Sequence, residues 1–347
     1  MRFRRIAVLA AVASLLAATP AAAHGGPHIK LQFRGQAIVP TGTTFQSTNV
    51  GGLSSLAYDA RHGVYYILSD DQVGARFYTA GIDVADGRLT DGDVHFQGVT
   101  TLLAPNGRPY PPQGLDPEGL ALTRDRELIL TSEGIPATGI NPFVRRYALD
   151  GHFLGDLPVP QDFLVAPNHG VRPNLGFEAA NLTPDGRFFF TATENALFQD
   201  GPAATIANGS PSRILRYDLS RNALDRQWFY ETDRVAEPPV PATAFSVNGV
   251  DELLPLDREH LIAMERSFSV GAPDTGNTIK LYGVQLRGKS TRKTLLLNLD
   301  ALGIPLDNVE GITYGPRLRD GSRSLVLVSD NNFAPSQFTQ FLLFAIK

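Results

Sequence analysis

The sequence has no cysteine. Disulfide staples, thiolate nucleophiles and thiolate metal sites are all excluded, so a chain of 347 residues must hold together by core size, closure of its sheets, or bound metal. Zinc-protease spacing is also missing. The histidines at 24, 28, 62, 95, 152, 169 and 260 are scattered and form no H-E-x-x-H,. No G-x-S-x-G elbow is present, which leaves the common serine-hydrolase layout without support,. Long helical patterns are scarce, whereas turn formers abound, with 33 glycines and 25 prolines. That balance points to an all-β chain with many short connections.

Positive charge is in the minority, with 31 Lys and Arg against 35 Asp and Glu. The N-terminus makes the imbalance larger. Arg2, Arg4 and Arg5 precede an apolar run from Ile6 to Ala18 and then Ala21-Ala22-Ala23, the layout of a secretory signal with an A-x-A cleavage site. The run is too short and Ala-rich for a comfortable membrane span. Residues 1–23 are therefore expected to be a signal peptide. Residues 24–347 form the mature domain, exported to a periplasm or the medium, with no membrane span after cleavage. Loss of the three arginines leaves 28 basic against 35 acidic side chains, a formal charge of −7. A mildly acidic chain of this kind argues against a nucleic-acid partner.

What the sequence does contain is a repeat. Five hairpins of two apolar strands recur: "LSSLAYDARHGVYYILSDD", "EGLALTRDRELILTSEG", "EAANLTPDGRFFFTATEN", "DELLPLDREHLIAMERS" and "EGITYGPRLRDGSRSLVLVSDNN". Turn residues such as Pro184-Asp185-Gly186 and Asp320-Gly321 sit in their middles,. Two further strand-like runs follow each hairpin except the last, which has one. The missing strand is available at the other end, as "IKLQFRGQAIV", residues 29–39. Four strands per repeat, with the last set completed from the N-terminus, describes a β-propeller closing its ring. Five blades account for the chain, and a sixth within 135–175 or 231–247 stays open. A sandwich would not need five copies of one hairpin, and a β-helix repeats every ~20–25 residues.

Acids punctuate the repeat. First strands open on Glu118, Glu178, Asp251 and Glu310, with Ser54 in the first copy. Second strands end on Asp70, Glu133, Glu194, Glu265 and Asp330. In an antiparallel hairpin those two positions lie at the same end, so nine carboxylates are expected around one channel mouth. Crowded carboxylates repel and raise one another's pKa unless cations sit among them. An oxygen-only donor set favours Ca²⁺, with Mg²⁺ as the second choice. The plainer reading is that the acids cap strand ends in solvent. Third strands open on a base: Arg76, Arg145, Arg213 and Lys280. These either grip a small anionic or ester substrate or pair with acids of their own blades. For hydrolysis, Glu118 and Glu178 are candidate proton acceptors, and His169 is a loop candidate acid/base on the same face. A lone loop histidine also reads as a bystander.

The stretches "GGLSSLAYD…YYILSDD…ARFY", "DPEGLAL", "GFEAANLTPDGRFFFTATEN…SRILRYDL" and "VEGITY…LVLVSDNNF" resemble the phytase-like domain family, also called "esterase-like activity of phytase". The resemblance runs in order over residues 49–347. It implies an exported β-propeller that hydrolyses esters or phosphate esters. It supplies no catalytic set, and no residue-by-residue match to classical β-propeller phytases is seen. Two classes of function follow. One is a metal-dependent ester or phosphoester hydrolase. The other is a non-catalytic propeller that binds a ligand or partner, with calcium as a structural clasp.

Overall fold

The structure is a computed structural model that describes residues 29–347. The expected signal peptide lies outside the described residues. Among those described, regular structure is strand or short 3₁₀ turn, and no helix is long and apolar enough to cross a membrane.

β1 (Leu31–Val39) precedes a small hairpin of β2 (Thr44–Phe45) and β3 (Thr48–Asn49). Antiparallel groups of four follow in chain order. β4 (Ser55–Asp59), β5 (Val64–Ser69), β6 (Arg76–Ile82) and β7 (Val94–Thr101) make the first. β8 (Pro117–Leu122), β9 (Leu128–Ser132), β10 (Phe143–Tyr147) and β11 (Phe153–Leu157) make the second. The third is β12 (Asn181–Leu182), β13 (Phe188–Ala192), β14 (Pro211–Asp218) and β15 (Ala223–Glu231). The fourth is β16 (Ser246–Pro255), β17 (His260–Ser269), β18 (Asn277–Arg287) and β19 (Ser290–Asn298). It joins the third through one parallel pair, Phe229 with Ser290.

The last group holds β20 (Asn308–Arg317), β21 (Arg323–Asp330) and β22 (Thr339–Ile346), and its fourth strand is β1. β1 pairs with β22 from Leu31↔Ile346 to Val39↔Thr339. The first strands β4, β8, β12, β16 and β20 touch one another in turn, and β20 returns to β4. The result is a β-propeller closed by its N-terminal strand, as the sequence pattern led one to expect. Segment 135–175 supplies β10, β11 and two 3₁₀ turns, and 231–247 runs as a loop into β16.

Local chemistry explains the hairpins. Asp59, Asp185 and Asp320 each accept a hydrogen bond from the backbone amide two residues on, at 3.0–3.1 Å. Gly63, Gly186 and Gly321 then take φ of 66°, 66° and 81°, values open to glycine at no steric cost. The second strands of these blades, β5, β9, β13 and β21, are almost wholly buried. They read as continuous apolar runs because neighbouring blades cover both their faces. Leu56, Tyr65, Ile67, Val328 and Phe341 pack where the last blade meets the first. Ile129, Val144, Phe189, Leu215 and Tyr217 do the same between the second and third.

Closure also explains the small residue that follows the acid in "EGL", "EAA" and "EGI". A Cβ on Gly119 would lie 2.4 Å from the Glu178 carbonyl oxygen and from Thr131 Oγ1. One on Gly311 would lie 2.8 Å from Val328 Cγ1 and 3.0 Å from Ser55 Cα. Neighbouring first strands pass too closely there for a side chain. In the fourth blade this place is taken by Glu252, which turns the constraint into a pin. Its carboxyl accepts from the Ala180 amide at 2.8 Å, the Leu253 amide at 2.9 Å and Ser55 Oγ at 3.2 Å. Ser55 Oγ in turn accepts from the Leu120 amide at 3.0 Å. Burial pushes the Glu252 carboxyl up to about 8 against the pull of these donors, and the link spans four blades.

Candidate metal and reaction site: the acidic channel mouth

One backbone rule builds the mouth. The residue ending each second strand bonds to the residue two before the first-strand acid. Asp70 N donates to Gly52 O at 2.8 Å, Glu133 N to Asp116 O at 3.2 Å, and Glu194 N to Gly176 O at 2.7 Å. In the fifth blade Asp330 faces Asn308. In the fourth, the residue facing Gly249 is Arg266, not Glu265. The side-chain period of a strand is two, so a slip of one residue sends a side chain to the opposite face.

The ring therefore carries Glu118, Glu178, Asp251 and Glu310 from the first strands. Asp70, Glu133, Glu194, Arg266 and Asp330 come from the second. Asp116, which the sequence pattern did not single out, joins them. Glu265 is turned away into a polar knot between blades, where Tyr230 Oη, the Asp233 amide, Asn248 Nδ2 and Lys293 Nζ all donate to it.

Carboxylate oxygens of Asp116, Glu118 and Glu133 approach within 4.8 Å of one another, and so do those of Glu133, Glu178 and Glu194. Glu133 is common to both sets. Glu133, Glu194, Asp251 and Asp330 are buried, while Glu118 and Glu310 keep some access to solvent. Burial is the largest cause raising every ring acid. It pushes Glu133 up to about 7, and Asp251 and Asp330 up to about 6. Asp70, Glu118, Glu178 and Glu310 rise well above the usual range, through burial and then through neighbouring carboxylates. Glu194 rises through burial, opposed by Arg266.

Arg266 is the cation of the ring. Its Nε donates to Asp251 Oδ1 at 2.9 Å, Nη2 lies 2.9 Å from the same oxygen, and its amide donates to Oδ2 at 2.8 Å. Nη2 lies 3.6 Å from Glu310 and 3.7 Å from Glu194. Burial would lower its pKa, but Asp251, Glu310 and Glu194 together raise it. Even so, Asp70 Oδ1 and Glu194 Oε1 are buried with no hydrogen-bond partner. Orphaned carboxylate oxygens in an all-oxygen cluster fit a hard cation such as Ca²⁺.

The third-strand bases go elsewhere. Arg76 pairs with Asp71 and also reaches the Asn49 carbonyl. Arg145 pairs with Asp156 at 2.9 Å and stacks on Phe143. Arg213 forks onto Asp200 at 2.6 and 2.7 Å. Lys280 pairs with Asp233 at 3.2 Å. Each thus sits on a carboxylate of its own blade or an adjoining loop. His169 is half-buried in the loop before β12, where its backbone bridges to Ala166.

Arg266 and Asp116 are the ring members that sequence reasoning missed. Asp116 stands in the quoted stretch "DPEGLAL", two residues from Glu118, which was its available signal. Arg266 lies fifteen residues after Asp251, as Glu133 lies fifteen after Glu118, and that spacing was its available signal; the acid next to it, Glu265, drew the assignment instead.

Comparison with solved structures returns distant likenesses. An endo-arabinase from Bacteroides thetaiotaomicron is 12% identical, with 90% of this chain and 96% of that chain covered and a TM-score of 0.47. The catalytic domain of a Coprinopsis cinerea GH62 α-L-arabinofuranosidase is also 12% identical, with 90% and 97% covered and a TM-score of 0.48. A structure described as the Dos1 propeller is 8% identical, with 87% and 68% covered and a TM-score of 0.40. No functional conclusion follows from likenesses this remote. No curated protein matches the chain. The family model described as "Phytase-like: Esterase-like activity of phytase" matches residues 48–333, and the chain belongs to that family.

Proposed function

We propose that this propeller is an exported, calcium-dependent hydrolase of esters or phosphate esters, with its reaction at the acidic mouth. One observation carries the reading. The oxygens of Glu133, Glu178 and Glu194 converge within 4.8 Å of one another, with the Arg266 guanidinium 3.7 Å from Glu194 and Glu194 Oε1 left without a hydrogen bond. Glu133 and Glu194, the most deeply buried of the set, would hold the ion with help from Asp116 and Asp70. When bound, it would supply Lewis acidity, polarising the ester oxygen and acidifying a nearby water. Glu178 and Glu118, at the starts of the first strands, take the proton from the attacking water and return it to the leaving oxygen. Burial and then neighbouring carboxylates raise the proton affinity of both,. Arg266 faces the charge that develops on the ester oxygens.

Melting curves across pH, followed by a turnover assay, test the reading. The ring acids have folded-state pKa values above their unfolded ones. As pH rises above about 4, the unfolded chain releases protons that the folded one keeps, and metal-free protein loses stability. That loss continues through about 6 for Asp251 and Asp330 and about 7 for Glu133,. The melting temperature in EGTA is therefore expected to fall from pH 5 to pH 8. Calcium at ~100 times its dissociation constant should return roughly 2.7 kcal/mol at pH 7.5. p-Nitrophenyl acetate or p-nitrophenyl phosphate should turn over with calcium and not with EGTA. A melting temperature indifferent to both pH and calcium, in protein verified metal-free, would return the acids to structural caps.

A further inference from the structure

We infer that the substrate carries an aromatic group beside the scissile ester, seated against Phe245 and Phe268. This rests on the proposed hydrolase reading of the mouth and narrows its substrate class.

A cavity of about 520 Å³ opens over the ring on the side of the third, fourth and fifth blades. Its volume lies in the range of small-molecule sites. Arg266, Glu194, Glu310 and Asn308 line its polar part, and Phe245, Phe268, Val247 and Leu175 line its apolar part. The two parts are physically continuous. In β17, Arg266 and Phe268 are two residues apart and share a face. Val247 pairs directly with Phe268 across the β16–β17 ladder, and Phe245 lies two residues before Val247. One strand pair thus lays an apolar strip that descends to the guanidinium.

Phe245 is 61% exposed, its ring 6.2 Å from that of Phe268 and tilted by 40°. Isolated exposed apolar side chains are ordinary. This one stands on the wall of a cavity whose polar part is formed by Arg266, Glu194 and Glu310 of the ring, an arrangement that suits a ligand with one apolar end. Phe268 is also braced. Gly276, at φ 81°, brings its backbone so near that a Cβ would lie 3.1 Å from the Phe268 ring, so that ring rests against the backbone of the loop before β18.

An aryl ester or aryl phosphate fits both ends. Its acyl or phosphoryl oxygens face Arg266 and its ring lies on Phe245 and Phe268. In the reaction, water oxygen bonds to the acyl carbon or phosphorus and the bond to the aryl oxygen breaks. One water proton passes through Glu178 to the departing aryl oxide, and the other stays on the product acid.

The test compares phenyl with methyl probes on the calcium-loaded mature chain. In wild type, kcat/KM for phenyl acetate or phenyl phosphate should exceed that for the methyl compound. Phe245→Ala, at an exposed position, should cut the phenyl value about tenfold and leave the methyl value unchanged, and Phe268→Leu should act in the same direction. Affinity for phenylphosphonate against methylphosphonate, read by calorimetry, needs no turnover. Preferential phenylphosphonate binding lost in Phe245→Ala, with no ester hydrolysed, would keep the aromatic subsite and remove the hydrolase reading. Turnover or binding with equal preference for phenyl and methyl, or unchanged preference in both variants, would overturn the subsite.

Discussion

Glu178→Gln is expected to lower hydrolytic turnover by about 10²–10⁴-fold while raising the melting temperature of the metal-free protein. The kinetic half follows from the loss of a positioned proton acceptor, whose contribution is of that order. The stability half follows from the crowding of the ring. Glu178 is only 9% exposed, and its proton affinity is raised by burial, then by Glu133, Glu118 and Glu194. A neutral amide of the same shape removes that repulsion and can donate a hydrogen bond to Glu133. A functional carboxylate held against its own electrostatic preference should show this exchange of activity for stability. Glu118→Gln should behave alike, with a smaller gain in stability because Glu118 is more accessible. The calcium-induced rise in melting temperature should shrink in both. Activity is read with a saturating ester and stability by melting in EGTA. Full turnover in both variants would place the reaction away from the mouth.

The paired acids were legible in the sequence because two simple periodicities carry them. Antiparallel hairpins return the chain to its starting level, so "EGL…TSEG" and "VEG…VSDNN" had to bring their acids to one end. Asx turns at Asp59, Asp185 and Asp320 marked where each hairpin folds. The N-terminal strand could be assigned to the last blade because "FTQFLLFAI" otherwise lacked an outer partner. The fourth blade was not legible in the same way. Its ring residue is Arg266, paired with Gly249 and fifteen residues after Asp251 as Glu133 is after Glu118, and the neighbouring Glu265 offered the acid that the other blades led one to expect. A register shift at the first-strand acid is shared with the second and fifth blades, so it does not set the fourth apart. The third-strand bases posed a different difficulty. Their spacing gave the face they begin on, but not that Asp71, Asp156, Asp200 and Asp233 would reach them. Those partners lie in loops and outer strands whose positions depend on the whole blade. Glu252 was hidden for a related reason, because its partners Ser55, Leu120 and Ala180 belong to three other blades.

Arg266→Met should destabilise the protein by about 3–5 kcal/mol at pH 8, the usual consequence of removing one partner from a buried ionic cluster. Methionine roughly conserves the apolar length of the side chain. It leaves Asp251 without its forked partner, and Glu194 and Glu310 without a cation within 4 Å. The sign of the pH dependence separates this cause from poorer packing. Asp251 sits at about 6 even with Arg266 beside it, and removing the guanidinium raises it further. At pH 5 the carboxylates then take up protons and the destabilisation should largely vanish. A packing defect would persist unchanged at that pH. Arg266→Lys keeps the charge but loses the fork that grips Asp251, so its melting temperature should fall between wild type and Arg266→Met. If Arg266 also faces the reacting ester, the lysine variant should fold yet lose about 10²–10³-fold in kcat, the scale found when one donor is removed from a developing oxyanion. A lysine variant with reduced stability and undiminished kcat would confine Arg266 to holding the ring together. The proton exchange at Glu178 and Glu118 would then proceed without a cation of the protein's own.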